Sequence, residues 1–342
     1  MKGAKRSEWR SEADLEKSAR SLLVEQSEIL EERRKSLDDY AAGKSCFRGG
    51  YGAGGALAYE VAQSLLCSVR YRCEATVKLF SAEPGWQELL EKSSAYNYWS
   101  LLIQYRSAAE TAPLSFSNAV KSLADCIFWG WLEEAEFLAN EILFLYQNRR
   151  FSDVRLIYSQ PLNHWFLKIC FAYLDLSFDG WGRGFHGDDV RDVSEGASRV
   201  AHNLDCLLAD WFDKDASSLV DDVEWLCDYY VSRTRLIEGC EFSNDLIAVR
   251  MPILILAGFR LRQVRELQIP WPKHPLFSPG YVFLPESRAM YSDDVLSAAV
   301  SRLRDQEIVG LGWIHSSRSS DGKKHKQGLL QRLFGSSSGR SE

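Results

Sequence analysis

The spacing of apolar residues most constrains the fold of this chain, because long stretches repeat them every three or four positions. Leu15, Ala19 and Leu22 begin one stretch of this kind, which is typical of an amphipathic helix. Alternating patterns typical of strands are scarce, and residues 281–284 are the only short candidate. The sequence therefore predicts an all-α fold, an irregular array of packed helical hairpins that could resemble a helical repeat. The expected helices cover residues 12–41, 56–80, 86–109, 114–129, 131–147, 164–178, 190–212, 217–237, 242–268 and 292–308.

Glycine and proline divide this array. The glycine-rich residues 179–189 predict a loop, and five prolines between residues 269 and 285 exclude a helix there. We expect that second segment to run in extended form over the surface, pinned by Trp271, Phe277 and Phe283. Pro252 lies inside a helical pattern, so that helix either kinks or begins there.

The 342-residue length allows one large domain or two ordinary ones. We expect an N-terminal helical half over residues 1–178 and a C-terminal helical half over 188–314, or one continuous domain. Residues 315–342 carry six Lys or Arg against two acidic residues and are rich in Ser and Gly. They predict a disordered basic tail.

Composition argues against several classes of protein. A formal net charge of −6 does not suit a general nucleic-acid binder. No run approaches 18 apolar residues, so no membrane span is expected, and the charged N-terminus lacks a secretion signal, which favours the cytoplasm. The eight cysteines have no two-residue spacing and are expected to be free thiols.

Two motifs resemble sites but lack their context. Residues 50–55 fit the glycine pattern of a dinucleotide-binding loop, yet no strand precedes them, so a loop between helices is favoured. His202 and Cys206 could share a helix face as a metal pair or as a base and nucleophile, but further ligands are missing. We therefore predict no catalytic, cofactor or metal site and no enzyme activity, with an enzyme carrying an unrecognised all-α site as a further alternative.

Charge segregation is the strongest compositional signal. Residues 188–228 hold twelve acidic and three basic residues, a net charge of −9, whereas the rest of the chain sums to +3. Interleaved aromatics could anchor a partner within such a charged rim. The alternative is an ordinary solvated helix face whose aromatics point into the core. The candidate partner-binding residues are Asp188, Asp189, Asp192, Asp210, Trp211, Asp213, Asp215, Asp221, Asp222, Glu224 and Trp225.

Three features give the chain a resemblance to a known class. They are the hairpin sequence Trp129-Gly130-Trp131-Leu132-Glu133-Glu134-Ala135, the aromatic helix over residues 164–178, and the proline-rich sequence Lys273-His274-Pro275-Leu276-Phe277. Over residues 12–308 the chain resembles the helical immunity proteins of bacterial polymorphic-toxin systems. The toxins of these systems are delivered by contact-dependent or type VI secretion. That class has no short diagnostic motif, so no functional residue carries over by position.

The resemblance implies a non-catalytic inhibitor that binds and neutralises one cognate toxin. The acidic segment would suit a toxin with a basic substrate-binding cleft, as a nuclease has. The alternative is a helical-repeat adaptor that gathers several cytoplasmic proteins through a concave face.

Overall fold

A computed structural model describes residues 10–44, 55–107, 114–148, 150–151, 160–176, 195–234 and 245–305. Within these ranges the chain is a packed helical array without strands, and the only bridge of β type is an isolated one between Leu114 and Phe151. The predicted all-α class is confirmed. The helices are α1 (Glu12–Glu25), α2 (Ser27–Ala41), α3 (Gly55–Leu65), α4 (Ser68–Phe80), α5 (Trp86–Ser107), α6 (Phe116–Trp129), α7 (Leu132–Gln147), α8 (Pro161–Tyr173), α9 (Glu195–Asp210), α10 (Val220–Arg233), α11 (Ile253–Val264) and α12 (Asp294–Asp305), with 3₁₀ turns at Ser217–Leu219 and Pro275–Phe277.

Each of the first two predicted helices is divided in two. Gln26 leaves helical geometry between α1 and α2, with φ −106° and ψ 9°. Leu66 and Cys67 turn between α3 and α4 by bonding to the carbonyls three residues earlier. Because α1 packs on α4 and α2 packs on α3, the two interruptions lie opposite each other. The sequence periodicity continues through both breaks and therefore predicted single helices over 12–41 and 56–80.

The hairpin of α6 and α7 forms where the sequence predicts it. The Ser115 hydroxyl accepts the N–H of Asn118 and caps the start of α6. Gly130 ends that helix in the left-handed conformation at φ 80°, and the N–H of Trp131 reaches the carbonyl of Cys126 at 2.8 Å. This is a Schellman ending, in which glycine adopts positive φ without the strain that a side chain adds.

The centre of the molecule consists of α8, α6 and α11. Pro161 occupies the first turn of α8, and every residue of α11 from Ile253 to Arg262 is buried. Pro252 precedes α11, so the helix begins there and is not kinked. One cluster of buried side chains, hereafter the main core, runs from Leu37 to Leu303 and includes residues of both expected halves.

Residues 269–292, hereafter the strap, cross the surface without regular structure except for one 3₁₀ turn. The predicted extended segment is confirmed, and the short strand considered for residues 281–284 does not form. Trp271 packs edge to face on Phe259 with ring centroids 5.2 Å apart, and Phe283 packs on Trp86 at 6.4 Å. These aromatic contacts pin the strap as the sequence predicts.

Several predictions fall outside the described residues, namely the loop at 179–189, the tail at 315–342 and most of the glycine motif at 50–55. Cys46 and Cys240 also lie outside them. The other six cysteines are free thiols, as predicted, and Cys206 is the exposed one among them.

Candidate partner-binding surface

The structure distributes the predicted partner-binding residues unevenly between surface and core. Asp188, Asp189 and Asp192 lie outside the described residues. Asp210, Asp213, Asp215, Asp221 and Asp222 are exposed, whereas Glu224 and Trp225 are half-buried and Trp211 is fully buried. We use the term acidic surface for the side chains of Asp210, Asp213, Asp215, Asp221, Asp222, Glu224, Trp225 and Asp228.

Trp211 belongs to the core that supports this surface. Its indole meets Trp165 edge to face at 5.1 Å and stacks on Phe259 at 6.1 Å. Gly258 allows the close approach, because a Cβ there would lie 2.8 Å from the Trp211 ring. Trp211 therefore contributes to the surface by fixing the turn after α9, and in this structure it has no exposed area for a partner.

A buried arginine fixes the main chain of the same turn. The guanidinium of Arg262 donates to the carbonyl oxygens of Trp211 and Asp213, the second at 3.0 Å. Its Nε also donates to the carbonyl of Gln268 at 2.8 Å. Burial lowers the pKa of Arg262 from its ordinary value, and Asp213 partly opposes that shift. The turn that carries Asp213 is thus attached to α11 through two of its carbonyl groups.

Asp215 has a local structural role besides its charge. Its carboxylate accepts the N–H of Ser217 at 2.8 Å and caps the 3₁₀ turn that leads into α10. This bond, with a further contribution from the Ser217 side chain, lowers the pKa of Asp215. Asp215 is therefore needed for the path of the chain as well as for the charge of the surface.

Helix α10 is apolar on its inner side and acidic on its outer side. Val223, Leu226, Cys227 and Tyr230 are buried. The outward side carries Asp221 and Asp222 in the first turn, where the helix dipole favours negative charge. Trp225 follows one turn later and stacks on Tyr229, with nearly parallel rings 5.6 Å apart. A rigid aromatic thus lies among the carboxylates.

The strap borders the acidic surface along α10. The N–H of Lys273 donates to Glu224 at 3.1 Å, and His274 Nε2 lies 3.3 Å from a carboxylate oxygen of Asp228. His274 Nδ1 accepts the N–H of Leu276, so Nε2 carries the proton and donates to Asp228. Trp271, immediately before this contact, is 45% exposed although it packs on Phe259 and Phe277.

Among the residues that the structure describes, most carboxylates of the acidic surface have no ion-pair partner. Asp205, just outside it, is neutralised by Lys168 at 2.7 Å. Within the described ranges, no basic group lies within ion-pair distance of Asp210, Asp213, Asp221 or Asp222. Lys214 is the only Lys or Arg between residues 205 and 228. The exposed side chains of this surface are therefore mostly acidic, and a basic partner could neutralise their charge.

A buried ionic cluster on the other side of α10 offers no space for a substrate. Arg72 donates two bonds to Asp245, at 2.7 and 3.0 Å, and one to Asp125 at 3.0 Å. Burial raises the pKa of Asp125. Burial also acts to raise the pKa of Asp245, but Arg72 and Lys121 bring it below its ordinary value. The adjacent cavity of about 10 Å³ has room for about one water molecule.

Neither a metal cluster nor a membrane helix occurs in the part of the chain that the structure describes. There, no group of three His, Cys, Asp or Glu is arranged to hold a metal, and no helix is both long and apolar enough to cross a membrane. Cys206 is exposed on α9. The side chain of His202, its proposed companion, lies outside the described residues.

Comparisons with known proteins found no relative of this chain. No protein-family model matches it, and neither the curated proteins nor the solved structures contain a match.

Sequence reasoning missed two contributors to this surface. Trp271 was expected only to pin the strap, yet nearly half of it remains exposed, two residues before the bond of the strap with Glu224. The contact of His274 with Asp228 joins residues 46 positions apart. The sequence of the strap could have raised the first possibility, because a Trp between two prolines in an extended segment has few neighbours to cover it, but nothing local indicates the second.

Proposed function

We propose that the protein is a non-catalytic inhibitor that acts in the cytoplasm, as an immunity protein against a bacterial toxin. The observation that carries the proposal is the set of exposed carboxylates at Asp210, Asp213, Asp221 and Asp222, which have no ion-pair partner among the residues that the structure describes. Unpaired charges attract a complementary partner and raise the rate of encounter. A toxin whose substrate cleft is basic would be recognised by this surface.

Two aromatic side chains favour a tightly packed interface and not one held by diffuse electrostatic attraction alone. Trp225 is held flat against Tyr229, and Trp271 is held by Phe259 and Phe277. Large aromatics with few free rotations lose little entropy on binding and often dominate interface energies. We expect both to contact the toxin, with the carboxylates around them excluding competitors of the wrong charge.

The first test is co-expression of the full chain with the product of the neighbouring gene in a susceptible bacterium. The proposal expects the neighbour to kill alone, the pair to be harmless, and the two proteins to co-purify. A harmless neighbour, or a pair that does not associate, would overturn the inhibitor assignment. If the chain instead binds several proteins weakly, the alternative function as a helical-repeat adaptor is favoured.

Matched charge variants test the surface itself. Asp213→Asn, Asp221→Asn and Asp222→Asn remove three charges from it, and Asp215 is kept because it caps a turn. The control Glu28→Gln, Glu32→Gln and Glu83→Gln removes three exposed charges elsewhere, including one in the first turn of α2. We expect the first triple variant to weaken the complex at least tenfold at low salt and the control to leave it unchanged. If the two triple variants weaken the complex equally, the acidic surface is not part of the interface.

A further inference from the structure

Helix α1 is packed on a small core of its own. Leu15 and Ala19 are its only fully buried side chains, and they contact Cys73 and Val77 of α4 together with Leu246 and Val249. These six residues form a cluster that is separate from the main core. Partly buried Phe80 is packed against both clusters. Partly buried Leu22 and Leu23 add to these contacts, so α1 is attached through a small apolar cluster that is separate from the main core.

Polar contacts of α1 with the rest of the molecule lie near its start and at Arg20, whose guanidinium donates to the Ser81 hydroxyl at 3.5 Å. Arg250 donates two bonds to the carbonyl of Arg10, at 2.6 and 3.1 Å, just before the helix begins. Tyr281 of the strap donates to the carboxylate of Glu12 at 2.7 Å. The Tyr281 bond lies at an exposed position, where exchange with water leaves little net stability, whereas the two Arg250 bonds are partly buried.

The surfaces that receive α1 are held without it. Cys73 and Val77 belong to α4, which packs along α5. The turn that carries Leu246 and Val249 is fixed by the bond of Asp245 with Arg72 and by the Tyr230 hydroxyl, which donates to the carbonyl of Ala248 at 2.6 Å. A groove between α4 and this turn would consequently keep its shape if α1 left.

The chain after α1 is also anchored independently. Leu37 and Tyr40 of α2 belong to the main core. Arg302 of α12 donates to the carbonyl of Tyr40 at 2.6 Å. Between α1 and this anchored helix, Gln26 has already left helical geometry and has no side-chain capping bond.

We propose that α1 is a hinged arm that detaches as a unit at Gln26 while the rest of the protein stays folded. Detachment uncovers the apolar groove formed by Cys73, Val77, Leu246 and Val249 and makes the Cys73 thiol accessible. Proteins open in cooperative units of this kind when a segment has few buried contacts with its surroundings. This inference is independent of the acidic surface and of the proposed inhibitor function.

The free cysteines provide a reporter for each state of the full chain. Cys206 is exposed, Cys73 lies under α1, and Cys126 and Cys170 lie in the main core. The experiment is time-resolved labelling with N-ethylmaleimide, with each cysteine followed by peptide mass spectrometry. We expect Cys206 to react first, Cys73 at an intermediate rate, and Cys126 with Cys170 only on global unfolding.

Two variants separate local opening from global unfolding. Leu15→Ala removes contacts of α1 and should accelerate labelling of Cys73 at least tenfold. Leu123→Ala lies in the main core and should accelerate Cys126 without changing Cys73, because Cys73 reacts from a state in which the main core is still folded. If Cys73 and Cys126 react at one rate and respond together to Leu123→Ala, the arm does not exist.

A urea series on the unsubstituted protein keeps the proposal testable if either variant fails to fold. The labelling rate of Cys73 should depend on urea less steeply than that of Cys126, because detaching one helix exposes less surface than global unfolding. Identical urea dependence at the two thiols would overturn the proposal.

Discussion

The buried guanidinium of Arg262 donates to the main-chain carbonyl of Trp211, and the Trp211 ring packs on Phe259 of α11, the helix that carries Arg262. The turn after α9 is thereby fixed to α11 by both its backbone and its side chain. The exposed carboxylates on that turn are held in place by contacts that lie entirely beneath them.

Replacing Arg262 with lysine should destabilise the protein by about 3 kcal/mol, because one ammonium group cannot reach the three carbonyls that the guanidinium serves. Urea unfolding followed by circular dichroism measures the loss. Arg304→Lys is the control at a more exposed position and should change stability by less than about 0.5 kcal/mol. A cost for Arg262→Lys as small as that of the control would contradict this role.

Gly258→Ala should cost about 2 kcal/mol, because the new methyl group would lie 2.8 Å from the Trp211 ring and force it to move. Gly280→Ala is the matched control, since a Cβ there meets no atom within 4 Å. Thermal unfolding compares the two variants, and tryptophan fluorescence should change in the first alone. Equal unfolding temperatures of the two variants would show that the Trp211 ring can move aside without cost.

Protonation of His164 should destabilise the folded state. Its ring lies 5.0 Å from that of Phe116, and burial, aided by Lys168, lowers its pKa from 6.5 to about 3. The stability that depends on neutral His164 is complete above pH 6.5 and is lost as the pH falls towards 3. Between these limits the free energy of unfolding should fall by at most about 1.4 kcal/mol per pH unit for this group.

His164→Gln isolates this contribution, because glutamine does not titrate and the acidic residues titrate alike in both proteins. The measurement is urea unfolding at pH 7, 6, 5 and 4. We expect the difference in stability between the two proteins to shrink or change sign as the pH falls. Parallel curves for the variant and the original would refute the assignment.

Arg72→Met should cost about 3 to 5 kcal/mol, because it removes the cation to which the buried carboxylates of Asp125 and Asp245 are bonded. Arg70→Met is a control two residues earlier on α4, where the ion pairs with Glu31 and Glu74 are partly solvated and worth less than about 1 kcal/mol. Adding Asp125→Asn and Asp245→Asn to Arg72→Met should restore part of the stability. If it restores none, the cost arises from lost packing and not from unpaired charge.

The class of fold and most helices follow from local sequence, because apolar periodicity and end signals act over a few residues. Gly130 and Pro161 mark helix ends through their own backbone geometry. The breaks at Gln26 and at Leu66 and Cys67 could not be predicted, because each depends on the helix that packs opposite it.

The surface was harder to predict than the fold for a related reason. Charge is visible in the sequence, so the exposed aspartates could be named, but burial depends on distant partners. Trp211 and Trp225 lie in equally acidic stretches, yet Trp165 and Phe259 bury the first, and the second remains half-exposed on α10. No local pattern distinguishes them.

The docking site of α1 has a consequence for synthesis on the ribosome. Leu246 and Val249 complete the groove for Leu15, and the carbonyl of Arg10 accepts a bond from Arg250, which lies 240 residues later in the chain. Helix α1 leaves the ribosome well before Leu246 and Val249, so the groove that receives it is incomplete until that turn has been translated. Helix α1 therefore cannot reach its native position before this turn is made, whatever the order in which the other helices assemble.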